Sequence, residues 1–235
     1  MWAVGVDIGK HMDPSAIIGV ELVPEMIDPN LGDPRAQDAH YMRKPVKLIN
    51  RYHVRYMERP DLGTDYGTLL SKVNAIMNTP ELRGESRLIV DIGNVGDALW
   101  EEWNRQGLAP IGIRFTAGDR ETVSPQGYNV PKIDMITRMM LVFARKRILF
   151  GSFDPERYPE YERLKRVIAR ELQNLRASYT ARGHVQIEAP SGEHDDMVMA
   201  LAMVLWWFER TYTPSRTEEG YVDERSHDTY DPLYD

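Results

Sequence analysis

The 235-residue chain contains no cysteine. That excludes a disulfide framework, a thiolate zinc site and a cysteine nucleophile, so any metal must be held by carboxylates or histidines. No run of about eighteen apolar residues occurs, which excludes a membrane span. Met1 to Asp7 offers neither a basic region nor a long apolar stretch, so no secretory signal is expected. The sequence has no G-x-x-x-x-G-K-[ST] loop and therefore no P-loop ATPase. Neither Ser15 nor Ser191 lies in a G-x-S-x-G elbow, so a serine triad is not suggested.

Positive charge is scarce overall: the net charge is −7. Its distribution is more informative than its sum. From Arg216 to Asp235 seven acids face two bases, a net of −5, which leaves −2 for everything before it. From Arg138 to Arg182 eleven bases face five acids. The chain is acidic as a whole and basic along one stretch. With 42% hydrophobic and 28% charged residues it has the composition of an ordinary globular domain. We read residues 1–212 as that domain and 213–235, which lacks apolar periodicity, as a flexible acidic tail.

Trp2 to Ile8 and Ser15 to Leu22 read as two strands of a hairpin, followed by an irregular loop from Met26 to His40 and a third strand around Val46 to Tyr56. Helical spacing marks Asp65 to Met77 and Val95 to Gln106, with buried-type strands at Arg87 to Asp91 and Ile111 to Thr116. Two helices are expected over Lys132 to Leu149 and Glu156 to Tyr179, the second opened by Asp154 as N-cap and Pro155 at the first position. His184 to Ala189 reads as a last strand and Asp195 to Arg210 as an almost wholly apolar closing helix. Together these predict an α/β fold, a mixed sheet with helices on both faces.

Three acidic points stand out. Asp7 and Asp91 each end an apolar strand and each precede Ile-Gly, and Asp195 and Asp196 open the closing helix. Unpaired carboxylates avoid buried strands because desolvation is costly. Each point alone has a structural explanation, as a turn residue or a helix cap. Converging at neighbouring strand ends, they become tolerable around a divalent cation, and oxygen-only ligation favours Mg2+ or Mn2+. Consecutive helical residues point about 100° apart, so Asp195 and Asp196 cannot play identical parts, and the sequence leaves open which is the direct ligand. His11 and His194 flank the acids and can orient a ligand, a water or a phosphate. Arg163, Arg166 and Arg170 form a stripe that can track a phosphate backbone, with a solvated face carrying a Glu162–Arg166 pair as the alternative. Lys132 is a weaker candidate for the same role.

Val4-Gly5-Val6-Asp7-Ile8-Gly9 with Asp13-Pro14-Ser15-Ala16-Ile17, then Leu88-Ile89-Val90-Asp91-Ile92-Gly93 through Leu99, then Ser191 to Ala202 resemble, in order, three motifs of the nuclease domain of tailed-bacteriophage large terminase subunits. The resemblance runs from the first residues to about Arg210. It implies a ribonuclease H-like fold and a metal-dependent endonuclease that cuts concatemeric viral DNA during genome packaging. By that resemblance Asp7, Asp91, Asp195 and Asp196 would be the metal-binding and catalytic acids, and Asp13 a further supporting residue. Hydrolysis would follow the two-metal scheme, in which paired ions clamp the attacking and leaving oxygens. Double-stranded DNA would be the substrate. The ATPase motor that precedes the nuclease in that family is absent from this chain, and portal and small terminase proteins would be its other partners, in the host cytoplasm. Other readings stay open: a junction-resolving nuclease of the same fold, an actin-like ATPase or sugar kinase, and a non-catalytic packaging scaffold.

Overall fold

A computed structural model describes residues 1–9, 13–38, 42, 44–93, 96–118, 120–152, 154, 156–179, 185–190 and 192–212. The acidic tail, His11, Pro155 and His184 lie outside them. Among the described residues no helix is long and apolar enough to cross a membrane.

Small and β-branched residues make β1 (Trp2–Asp7) suitable for the middle of a sheet, and it is buried along nearly its whole length. It pairs antiparallel with β2 (Ala16–Ile27), as the hairpin pattern predicts, and parallel with β4 (Ser86–Asp91). β3 (Lys47–Glu58) continues antiparallel to β2, and β5 (Ile111–Thr116) continues parallel to β4. Two short strands, β6 (Thr122–Ser124) and β7 (Gly127–Pro131), extend the sheet beyond β5, and β8 (Ile148–Phe150) closes the other edge against β3. The order is β6-β7-β5-β4-β1-β2-β3-β8. A separate two-stranded ribbon joins β9 (Arg176–Tyr179) to β10 (Val185–Glu188).

Helices cover both faces, as expected. On one side α1 (Tyr66–Met77) and α2 (Gly96–Arg105) pack Leu69, Val73, Leu99 and Trp103 against Val4, Val6 and Ile17. Asp65 caps α1 by accepting from the Thr68 N–H at 2.9 Å. On the other side lie α3 (Lys132–Ala144), α4 (Pro159–Asn174) and α5 (Asp196–Thr211). α5 is apolar on all sides from Met197 to Phe208 because it is enclosed on all sides, by the sheet beneath and by α3 and α4. Its approach to β1 depends on Gly5, where a Cβ would stand 2.3 Å from the Ala200 carbonyl oxygen.

Besides β6 and β7, which were not expected, three segments differ from the sequence expectation. β2 runs through Met26 and Ile27 because Lys47 to Asn50 of β3 pair with it there, and a 3₁₀ turn at Pro34–Gln37 occupies part of the expected loop. α3 stops at Ala144, where Lys146 turns into the left-handed region (φ 53°), and the apolar run after it serves as edge strand β8 instead of a last helical turn. α4 begins at Pro159, not at Pro155. Asp154 accepts from the Glu156 N–H at 2.9 Å and closes a turn, and Tyr158, before a proline, takes a non-helical conformation. Its C-terminus is cut short where Leu175 becomes extended and leads into β9.

Candidate functional site

The parallel register pairs Val6 with Val90, so Asp7 and Asp91 follow side by side at the same end of adjacent strands. Adjacent strands lie about 4.8 Å apart. α5 descends on β1 with its N-terminus toward that end, which brings Asp195 and Asp196 to the two strand-end acids. Asp7 is 9% exposed, and its carboxylate makes no hydrogen bond or ion pair among the described residues. Burial pushes its proton affinity well above the usual aspartate value, and the charges of Asp91, Asp196 and Asp195 push further, against a smaller opposing pull from Lys132. The four acids therefore share one electrostatic environment.

Cationic groups offset part of this crowding. Lys132 Nζ, at the start of α3, donates to Asp195 Oδ2 at 2.7 Å. Arg59 Nη2, just past the end of β3, donates to Asp196 Oδ2 at 2.9 Å. Asp196 is raised chiefly by burial, which outweighs the opposing influence of Arg59 and His194. Asp91 Oδ1 accepts from the Gly93 N–H at 2.7 Å. His194 Nδ1 stands 3.7 Å from Asp13 Oδ1 and 3.8 Å from Asp196 Oδ2, within ion-pair reach of both and beyond hydrogen-bond length. Lys132, the weakest of the sequence candidates, thus belongs to the cluster, and Asp13 and His194 form its rim.

By donor type the cluster suits a hard divalent cation: several carboxylates, one of them buried and without an ion pair among the described residues. Among the described residues, however, no three acidic or histidine side chains stand as a ready ligand cage. Lys132 and Arg59 hold the Asp195 and Asp196 carboxylates at the edge of the cluster.

Two members escaped the sequence reading. Arg59 carries no local signal. Glu171 does, for it lies on the core-facing side of α4 between Ile168 and Leu175, where an acid is out of place. It is 5% exposed, and burial pushes its carboxyl up to about 7 despite Arg59 and a hydrogen bond from the Val198 N–H. The arginine stripe of α4 is exposed, but its pairing differs from expectation. Glu162 binds Lys165 at 2.9 Å, not Arg166, because Lys165 reaches it at i+3. Arg163 binds Glu160 and Arg170 binds Glu193, three residues before Asp196. Arg170, at one end of the stripe, is thus tied to the turn that precedes α5.

No protein-family model and no curated protein sequence matches the chain. Solved structures do. The large terminase nuclease from thermophilic phage G20c with bound magnesium is similar over 88% of this chain and 80% of that one, with a TM-score of 0.54 and 20% identity. The same nuclease with bound cobalt gives 0.53 at 20% identity and the same coverage. The chain has the fold of the large terminase nucleases. This terminase-nuclease fold is the ribonuclease H-like α/β arrangement anticipated from the sequence. At 20% identity the likeness concerns the path of the chain.

Proposed function

We propose that this protein is a metal-dependent endodeoxyribonuclease whose site is the cluster of Asp7, Asp91, Asp195 and Asp196. The observation that carries the reading is Asp7: a buried strand-end carboxylate with no hydrogen bond or ion pair among the described residues, surrounded by three further acids. A buried anion of this kind is costly unless a cation compensates it. The similarity to nucleases solved with bound magnesium or cobalt supports the same reading.

In this reading Asp7, Asp91 and Asp196 would hold the Mg2+ or Mn2+ ions of a two-metal scheme. Asp195, anchored by Lys132, supports them at the edge. When bound, such ions supply Lewis-acid charge and acidify water at neutral pH, so no protein nucleophile is needed. His194 and Asp13 lie where they can accept or relay a proton at the rim, and the arginine stripe of α4 guides the DNA backbone toward the acids. By the sequence resemblance, the physiological substrate is concatemeric viral DNA in an infected bacterium. The partners are an ATPase motor, a portal and a small terminase protein.

Supercoiled plasmid incubated with Mg2+, with Mn2+ and with EDTA tests this directly. We expect nicking and linearisation with either metal, none with EDTA, and a loss of at least about a hundredfold in Asp7→Asn with the fold intact. Cleavage by Asp7→Asn at the wild-type rate would refute the site. Four-way junctions cut in preference to plasmid would instead identify a resolvase.

A further inference from the structure

Asp195 occupies the N-cap position of α5, where aspartate is among the best capping residues, yet its side chain makes no capping hydrogen bond. Lys132 holds it instead. The first turn of α5 is capped from outside, by Glu171 Oε2 of α4, which accepts from the Val198 N–H at 3.0 Å. The other oxygen, Glu171 Oε1, is buried without a hydrogen bond and stands 3.4 Å from Arg59 Nη1. Arg59 in turn donates through Nη2 to Asp196. One guanidinium thus spans a glutamate that caps the helix and an aspartate that opens it.

We propose that Glu171 and Arg59 are positioning residues of the acid site, an inference that rests on the reading of that site given above. Glu171 takes over the capping of α5 and so releases the Asp195 carboxylate for the cluster. Arg59 uses its planar fork, with Nη1 toward Glu171 and Nη2 on Asp196, to fix Asp196 relative to that cap; a lysine ammonium carries all its donors on one nitrogen and lacks that span. A cap alone would not call for a buried carboxylate on the core face of α4, since Asp195 is already in place to provide one. The arrangement makes sense if the Asp195 side chain is wanted elsewhere.

Titration of Mn2+ into the full chain, followed calorimetrically, tests the proposal with charge-conserving variants. Glu171→Asp is too short to reach both the Val198 N–H and Arg59, and Arg59→Lys loses the fork. Because neither alters the charge near the acids, a change in affinity reports position. Each is expected to raise the Mn2+ Kd by about tenfold, the usual scale for residues that orient metal ligands. The double variant should be no worse than the poorer single one, because both act through the first turn of α5. Amide exchange at Met197 and Val198 should also quicken in Glu171→Asp. A lower melting temperature with wild-type Mn2+ affinity in both variants would make the pair merely structural and overturn the proposal. If Glu171→Asp does not fold, Arg59→Lys decides alone. Wild-type protein whose Mn2+ binding is absent, or indifferent to Asp7→Asn, would instead bring down the reading of the site itself, and the positioning role with it.

Discussion

Single residues decide whether the acids can meet. Gly5 lies under α5, and an added Cβ would come within 2.3 Å of the Ala200 carbonyl oxygen and 2.8 Å of Val204 Cγ2. The carbonyl belongs to a buried helix and cannot turn aside, so relief requires α5 to lift from β1. Gly5→Ala is therefore expected to lose about 3 kcal/mol of stability, the upper end of the usual cost of overpacking, read from the urea midpoint. An unchanged midpoint would show that α5 tolerates the shift. The same displacement would carry Asp195 and Asp196 away from Asp7, so the surviving folded protein should also bind Mn2+ more weakly. Asp7 and Asp91 were legible in the sequence because an acid after an uninterrupted apolar strand contradicts its surroundings. Arg59 was not, because its partners are contributed by two distant helices. Glu171 was overlooked because a search for apolar positions passes over the one that is charged.

At the level of elements, the long and strongly patterned segments emerged as read: the β1–β2 hairpin, α1, α2 and the enclosed α5. Among the pieces that did not, β6 and β7 were not expected at all, and β8 and β9 are short segments whose conformation is set by a partner strand, β3 or β10, and not by their own periodicity. The C-terminal end of α5 shows how such an edge is secured. Arg147, leading into β8, makes two hydrogen bonds to Glu209 of α5, at 2.8 and 2.5 Å, and the Tyr52 hydroxyl of β3 binds the same carboxylate. Burial raises the proton affinity of Glu209, but the hydrogen bonds from Arg147 and Tyr52 outweigh it, and the carboxyl is held below its ordinary value of 4.5. A depressed carboxyl contributes stability above the unfolded-state value and loses it as pH falls through the folded one. Wild type should therefore exceed Glu209→Gln by about 2 kcal/mol near neutrality, the scale of hydrogen bonds to a charged group. The gap should narrow progressively below about pH 4.5. Urea denaturation across that range checks both slope and sign, and a gap that widens in acid would contradict the assignment.

For the molecule as a whole, the proposed nuclease role asks an acidic chain to engage a polyanion. The net charge of −7 is concentrated in residues 216–235, and the body before them is nearly balanced at −2. Long-range attraction is thus weak, and binding must come from a few local phosphate contacts. The stripe of α4 is the best placed source, since Arg163, Arg166 and Arg170 are exposed and Arg170 is tied to Glu193 beside the acid cluster. Two of the three, Arg163 and Arg170, already hold carboxylates at 2.5 and 3.0 Å, and phosphate must compete with these exposed partners. Surface pairs of this kind contribute little and exchange readily. Binding of random-sequence duplex, measured by fluorescence anisotropy in EDTA, is therefore expected to be weak, indifferent to sequence and steeply weakened by salt. Each phosphate contact contributes about 0.9 to the slope of log K against log salt. Replacing all three arginines by alanine should flatten that slope by about 2 to 3 and weaken binding at low salt, while Mn2+ affinity stays as in wild type. An unaltered slope would place the DNA on another face of the protein and leave the stripe a solvated helix surface.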